Sequence, residues 1–380
     1  MPEAVTTLKS KIYTNPTRRI FGEGSFAELP SVLESFTPKT ILLVLGEISF
    51  RMSSYYPRLE QMLSFYNGVE SSPVGQNPTA DFIEEEVRRL KTISYDLVLA
   101  IGGGSVLDVS KILAVLPKQP VLSLEQCMNS SFILEVAPVP LVALPTTSGT
   151  GSEVTPYVSL ETNDKKKITI QHPNFYPAVA LIDPERTYSM SSYRTAATGF
   201  DALSQAIESF WSIHATPFSQ THALRAIDLI LPSLEKAFEE QNNAPARAAM
   251  SLASCEAGLA IAQTKTTAVH SVSYPITTHF KIAHGHACAL TLAPFVRFNA
   301  PAIKSENLLA VFKAANYDQM AKKIESLMDK TGLERSLAQL GIDAQGRETI
   351  VRDGFRPDRM LNNPRPVTAE DLRHILEAIQ

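Results

Sequence analysis

The chain carries 380 residues, 44% hydrophobic and 19% charged, so it can bury a sizeable core, is not disordered, and is long enough for two domains. Its 35 Lys and Arg against 39 Asp and Glu leave a net charge of −4, which excludes a broad basic footprint for nucleic acid or an anionic membrane. A small anionic substrate is not excluded, since that needs only a few well-placed cations. No apolar stretch approaches the roughly 18 residues that span a bilayer. The opening MPEAVTTLKSK lacks the apolar region of a secretion signal. Cys127, Cys255 and Cys288 form neither a disulfide framework nor a CxxC zinc pattern, so a cytoplasmic protein without nucleic-acid or membrane partners is expected.

In chain order, Ile41–Leu45, Tyr95–Ile101, Val139–Leu144 and Ala178–Ile182 are short Val, Ile and Leu runs bounded by polar or turn residues, the pattern of buried parallel strands. Between them Ala80–Leu90 and Val106–Leu116 have helical spacing, and the alternation predicts an open α/β sheet. From about Thr195 the strand signal fades. Leu203–Phe210, His222–Phe238, Ala246–Ala262, Leu308–Ala315, Gln319–Gly332 and Ala369–Ile379 are predicted helices, with Pro217, Pro275, Pro301 and Pro364 in the joints. The expected organisation is a nucleotide-binding α/β domain over 1–185, a helical metal- and substrate-binding domain over 186–380, and a cleft between them.

Glycine is scarce, 17 of 380, so its clustering carries information. Gly102, Gly103, Gly104 and Ser105 follow one strand and precede a helix, where the free amides of a helix N-terminus suit a pyrophosphate. Ser105 is expected to cap that helix, with Asp108 three residues on as its capping-box partner. A plain βα turn would need only one glycine. The loop is not GxGxxG, and no GxxxxGK[ST] occurs, which removes P-loop ATPase chemistry. A second loop, Pro145 to Val154, places Thr146, Thr147 and Thr150 at the carboxyl end of the next strand, the edge where open α/β sheets bind ligands.

Asp201 and Gln205 are four apart and share one helix face, while His270, His284 and His286 cluster some seventy residues on. A carboxylate, imidazoles and an amide oxygen form an N/O set suited to Zn(II) or Fe(II). HExxH is absent, so zinc-peptidase chemistry is not indicated.

Taken in order, FGEGSFAELPSVL, IGGGSVLDVSK, PTTSGTGSEVTP, IDPE, TAATGFDALSQAIES, HSVSYPITTHFKIAHGH and NPRPVTAEDL resemble the iron-containing (group III) alcohol dehydrogenase family over essentially the whole chain. The resemblance implies a dehydroquinate-synthase-like fold, α/β plus all-α, with nicotinamide chemistry in the cleft. The family's Asp, His, His, His metal ligands fall on Asp201, Gln205, His270 and His284, for Fe(II) or Zn(II). NAD(P)H would rest its pyrophosphate on Gly102–Ser105, with Thr146, Thr147 and Thr150 alongside and Lys167 near.

Two positions depart from the family. Gln205 stands where histidine is usual, and an amide oxygen is the weaker, harder donor, so weaker metal binding or a different metal is expected. Tyr274 stands where many members carry a second histidine; with a reference pKa of about 10 it is a poorer proton shuttle near neutrality. The proton for the alkoxide is expected through Tyr274, His286 or water. After the first strand the family's NAD-preferring aspartate is replaced by Gly46, while Ser49 and Arg51 are placed to meet a 2′-phosphate and Glu47 could restore the carboxylate. NADPH is therefore expected to be accepted and preferred.

QTKTTAVHSVSYPITTHFKIAHGHACAL, DALSQAIESFWS and NNPRPVT are similar to the phosphonoacetaldehyde reductase (hydroxyethylphosphonate dehydrogenase) branch. The implied reaction is hydride transfer between NAD(P)H and a small aldehyde or alcohol, such as phosphonoacetaldehyde to 2-hydroxyethylphosphonate, with Lys265 and His286 as contacts for an anionic head group. Alternatives are a reductase of maleylacetate or simple alkanols, and a metal-free nucleotide-binding pseudoenzyme. A homo-oligomer, dimer or larger, is expected.

Overall fold

The computed structural model describes residues 13–129, 132–303 and 305–380; MPEAVTTLKSK lies outside them. Eight strands occur among these residues: β1 (Arg18–Phe21), β2 (Thr40–Leu45), β3 (Asn67–Glu70), β4 (Leu97–Gly102), β5 (Leu141–Pro145), β6 (Tyr157–Glu161), β7 (Lys167–Gln171) and β8 (Val179–Ile182). Six form one parallel sheet in the order β1-β8-β5-β4-β2-β3, and β6 and β7 form a separate antiparallel hairpin. The first-half helices are α1 (Leu29–Glu34), α2 (Tyr56–Leu63), α3 (Ala80–Leu90), α4 (Gly104–Val115) and α5 (Leu124–Asn129).

Why the central strands read as unbroken apolar runs is visible in the packing. Leu42, Val44, Val98 and Ala100 face one core, shared with α4, whereas Ile41, Leu45, Leu97, Leu99 and Ile101 face another, shared with α1. Alternate residues go to opposite faces and both faces are covered. The four expected strands are present to within a residue or two, and α3 has its expected bounds.

After β8 the chain is helical: α6 (Ser192–Trp211), α7 (Pro217–Glu239), α8 (Ala244–Thr264), α9 (Ala268–Phe280), α10 (His284–Asn299), α11 (Glu306–Val311), α12 (Tyr317–Lys330), α13 (Ala344–Gly354), α14 (Pro357–Met360) and α15 (Ala369–Glu377). They enclose one large core that includes Phe200, Ile227, Val272 and Phe295. Local signals set several starts. Pro217 opens α7 behind a Thr216–Ser219 capping box, and Thr368 and Asp371 form another at α15. A parallel sheet followed by a helical layer is the dehydroquinate-synthase-like arrangement. Among the described residues no helix is long and apolar enough to cross a membrane.

Two expectations are corrected here. Pro275 is not in a joint but inside α9, where it gives up one ladder hydrogen bond. Ser105 is not the cap of α4: Gly103 occupies that position with extended backbone, and Ser105 is the second helical residue.

Candidate active site

Between β2 and β4 the sheet reverses its winding, since the chain leaves β2 outward to β3 and returns on the other side to β4. Loops diverging at such a point open a crevice at the carboxyl ends of the strands. A cavity of about 760 Å³ lies there, and the helical layer closes its far wall. Gly46, Gly103, Gly104, Ser105, Asp108, Thr146, Thr147, Thr150 and Lys167 all line it, and so do Asp201, Gln205, His270, Tyr274 and His284. Gly102, Lys265 and His286 do not line it.

At the sheet end the three glycines have different causes. A Cβ on Gly102 would lie 2.5 Å from Val106 Cγ2, and one on Gly104 would lie 2.6 Å from Thr150 Cγ2, so the chain's own packing requires both. At Gly103 the nearest atoms are Thr147 Cγ2 and Oγ1 at 3.4 Å, an ordinary contact. That spare room faces the cleft, next to the first amides of α4, which have no carbonyl one turn behind them. Asp108 is a latch rather than a capping partner. It accepts from Ser152 Oγ at 2.5 Å and Ser159 N at 2.8 Å, while buried Lys111 donates to Ser152 Oγ at 2.6 Å and Tyr157 O at 2.7 Å. These bonds tie α4 to the hairpin.

Beyond β2, Glu47 and Ser49 line the cleft, but Arg51 does not: it is paired with Glu70 and donates to Tyr56 Oη at 3.1 Å. Arg51 is thus turned to Glu70 and Tyr56 rather than to the cleft where the sequence placed it.

The helical end gathers the metal-type donors. One donor atom each from Asp201, His270, His284 and Cys288 lies within 4.8 Å of the others. His270 Nε2 is 3.4 Å and His284 Nε2 3.8 Å from Asp201 Oδ1. Their convergence depends on Gly285, where a Cβ would sit 1.8 Å from Ala197 O; only a bare Cα lets α10 approach α6 this closely. Gln205 Nε2 donates to Asp201 Oδ1 at 3.1 Å. Buried Glu208, one turn along α6, accepts from Thr267 N and Oγ1 at 2.8 and 2.7 Å and from His270 Nδ1, so it turns His270 Nε2 toward the cluster. Burial and the Lys167 charge hold His284 well below the ordinary imidazole pKa, hence neutral. Burial alone would raise Asp201, but the His270 imidazole beside it and the Lys167 charge hold its pKa low.

The third wall is cationic. Tyr274 Oη is 3.2 Å from Thr169 Oγ1, and Lys167 and Arg359 stand 5.4 and 5.6 Å from its ring centre. Buried Arg359 donates to Thr266 Oγ1 at 2.6 Å and Thr169 Oγ1 at 2.9 Å, while its Nε has no partner. Its nearest carboxylate, the exposed Asp358, is 4.0 Å away.

His286 does not line the cleft, unlike the expectation from sequence: its Nε2 is 2.8 Å from Glu334 O, and its Nδ1 is 3.3 Å from the Oη of Tyr193, the residue that stands at the cleft in its place. Lys265 is an exposed α8 cap with φ 58°. Glu208 and Arg359 are not singled out in the sequence, and Cys288 stands there only as a cysteine outside any disulfide or CxxC pattern. Cys288 had a signal, four residues after His284 as Gln205 is after Asp201; Arg359 had none.

The model described as iron-containing alcohol dehydrogenase matches residues 16–184, and that described as the Fe-containing alcohol dehydrogenase family, C-terminal, matches 195–380. Long-chain-alcohol dehydrogenase 1 of Geobacillus thermodenitrificans is 34% identical over 79% of this chain and 79% of its own. Phosphonoacetaldehyde reductase of Streptomyces viridochromogenes is 36% identical over 58% of each. The structure of sulfoacetaldehyde reductase from Bifidobacterium kashiwanohense in complex with NAD+ superposes with a TM-score of 0.90 at 32% identity, covering 98% of this chain and 99% of that one.

Proposed function

The chain belongs to the iron-containing alcohol dehydrogenase family, an oxidoreductase family of alcohols and aldehydes, and from that premise we propose that it reduces a small aldehyde bearing an anionic head group. Arg359 carries this reading. A buried guanidinium without a buried carboxylate is costly unless an anion completes it, and this one faces the cleft with Lys167 beside it. The head groups in the names of two relatives, phosphonate and sulfonate, have that chemistry.

The residues also fit a divalent cation. Asp201, His270 and His284 would hold it, and His270 Nε2 is buried in their midst without a hydrogen-bond partner. When bound, such a cation supplies Lewis acidity and a nicotinamide dinucleotide supplies the hydride. The amides of Gly104 and Ser105 receive the pyrophosphate, with Gly103 giving it room. Arg359 and Lys167 hold the head group and so orient the carbonyl. Tyr274 donates the proton to the product oxygen: burial alone would raise its pKa, but the Arg359 and Lys167 charges and the Thr169 bond outweigh that and lower it. With Arg51 engaged elsewhere and Glu47 presenting a carboxylate beside Gly46, NADH is the favoured dinucleotide, in place of the NADPH expected from sequence.

The test is NADH oxidation by the purified protein with phosphonoacetaldehyde, sulfoacetaldehyde and propanal, with metal content measured on the same sample. The expected result is a kcat/KM about 10–100-fold higher for the charged aldehydes, the worth of a charged hydrogen bond of ~1.5–3 kcal/mol. Equal turnover of propanal would overturn it.

A further inference from the structure

Asp201, His270 and His284 make only three protein donors, and the fourth is where this chain is unusual. Gln205 donates its amide nitrogen to Asp201 and keeps its Oε1 buried without a hydrogen-bond partner, so a neutral amide oxygen stands near the group. Cys288 Sγ lies with the Asp201, His270 and His284 donor atoms, all within 4.8 Å, and offers the anionic alternative. The arrangement follows from helix geometry: Cys288 is one turn after His284 on α10, so both project from one face onto α6. The thiol is completely buried and sits behind the residues that line the cleft. A second observation points to the same place independently of the cysteine. His270 is 4% exposed, its Nδ1 is committed to Glu208, and its Nε2 has no partner while lying in the group. With Nδ1 donating to a carboxylate, the other ring nitrogen carries the lone pair, and such a nitrogen, buried and left without a donor, is the arrangement of a histidine prepared for a metal.

We propose that Cys288 is the fourth protein ligand of the divalent cation, completing an Asp–His–His–Cys set from behind the cleft. The inference rests on the metal-dependent reading above and adds to it the identity of the ligand. On coordination the Sγ–H bond is exchanged for an Sγ–metal bond, and the proton leaves to solvent. Two anionic ligands, Asp201 and Cys288, then neutralise the charge of the cation, and a soft thiolate favours Zn(II) over Fe(II).

The experiment is a titration of chelator-treated full-length protein with Co(II), followed by absorbance. The expected result is one bound cobalt with visible ligand-field bands and an intense near-ultraviolet thiolate-to-cobalt charge-transfer band. Cys288→Ser should lose the charge-transfer band and weaken binding about tenfold or more. The spectrum of the unaltered protein already decides the matter if Cys288→Ser does not fold, and Cys288→Ala gives a second variant. Cobalt bound without a charge-transfer band overturns the thiolate ligand and leaves the metal-dependent reading intact. So does a band that survives in Cys288→Ser. No cobalt binding at all overturns both.

Discussion

Arg359→Met separates recognition of charge from the rest of the reaction. Methionine keeps an unbranched apolar stem but removes the guanidinium and its bonds to Thr266 and Thr169. Two unit charges about 4 Å apart attract by roughly 4 kcal/mol at an effective dielectric constant of about 20. Truncating one partner of a buried, hydrogen-bonded charge pair costs about 2–5 kcal/mol. At about 1.4 kcal/mol per decade, kcat/KM for phosphonoacetaldehyde or sulfoacetaldehyde should fall by roughly 30- to 3,000-fold. Most of the fall should appear in KM, because a head group remote from the reacting carbon is bound equally in ground and transition states. Propanal, which has no head group, should change by no more than about threefold. Arg359→Lys, which retains the charge but loses the planar fork, should fall between. The assay is initial-rate NADH absorbance with all three aldehydes, alongside a melting curve for each variant. Equal loss on charged and neutral substrates would show that Arg359 supports structure rather than substrate, and no loss on the charged ones would remove the anionic-substrate proposal altogether.

The other expectations concern cofactor and stability. Gly103→Ala adds a Cβ that meets only Thr147 at 3.4 Å, so it should fold normally yet raise the KM for NADH about tenfold by crowding the pyrophosphate; an unchanged KM would place the pyrophosphate elsewhere. Gly104→Ala, whose Cβ meets Thr150 at 2.6 Å, should instead lower the melting temperature, as differential scanning fluorimetry would show. Glu47→Gln removes the carboxylate beside the ribose end of the cleft and should shift the NADPH-to-NADH ratio of kcat/KM upward about tenfold, while a constant ratio would deny Glu47 that role. Burial pushes the Glu153 carboxyl up from 4.5 to about 7, only partly countered by Lys111. Between those values the folded state binds the extra proton, so this group's stability is present below the lower value and lost as pH rises through the upper, a loss of about 3 kcal/mol by pH ~8. Glu153→Gln should therefore melt higher than the parent at pH ~8 and not at pH ~5; equal differences at both would contradict it.

What could be read from sequence followed from local repetition. The β2, β4, β5 and β8 strands are covered on both faces and so appear as plain apolar runs, and α6 carries Asp201 and Gln205 one turn apart. Edge strands escaped: β1 is Arg-rich and mostly exposed, and β3 has the turn-like sequence NGVE. The hairpin β6–β7 did alternate, around Asn163 and Asp164, but its run of lysines resembled a solvated loop. Among site residues, those in glycine-rich or histidine-rich stretches were visible. Glu208 was hidden among ordinary helix polarity, and Arg359 is brought to Thr169 only by tertiary packing, across 190 positions of sequence. Proximity in the chain misled in one instance, since His286 follows His284 by two residues and therefore points to another side of α10.

The cleft takes its glycine loop from the first third of the chain and its charge anchor from α14, close to the end of a 380-residue polypeptide. Chains emerge from the ribosome N-terminus first and domains fold as they appear. The parallel sheet, complete by Ile182, is therefore made before Asp201, His270, His284 and Arg359, which all lie in the helical layer. A nascent chain that has not yet reached α14 would lack Arg359, the guanidinium proposed above to hold the head group.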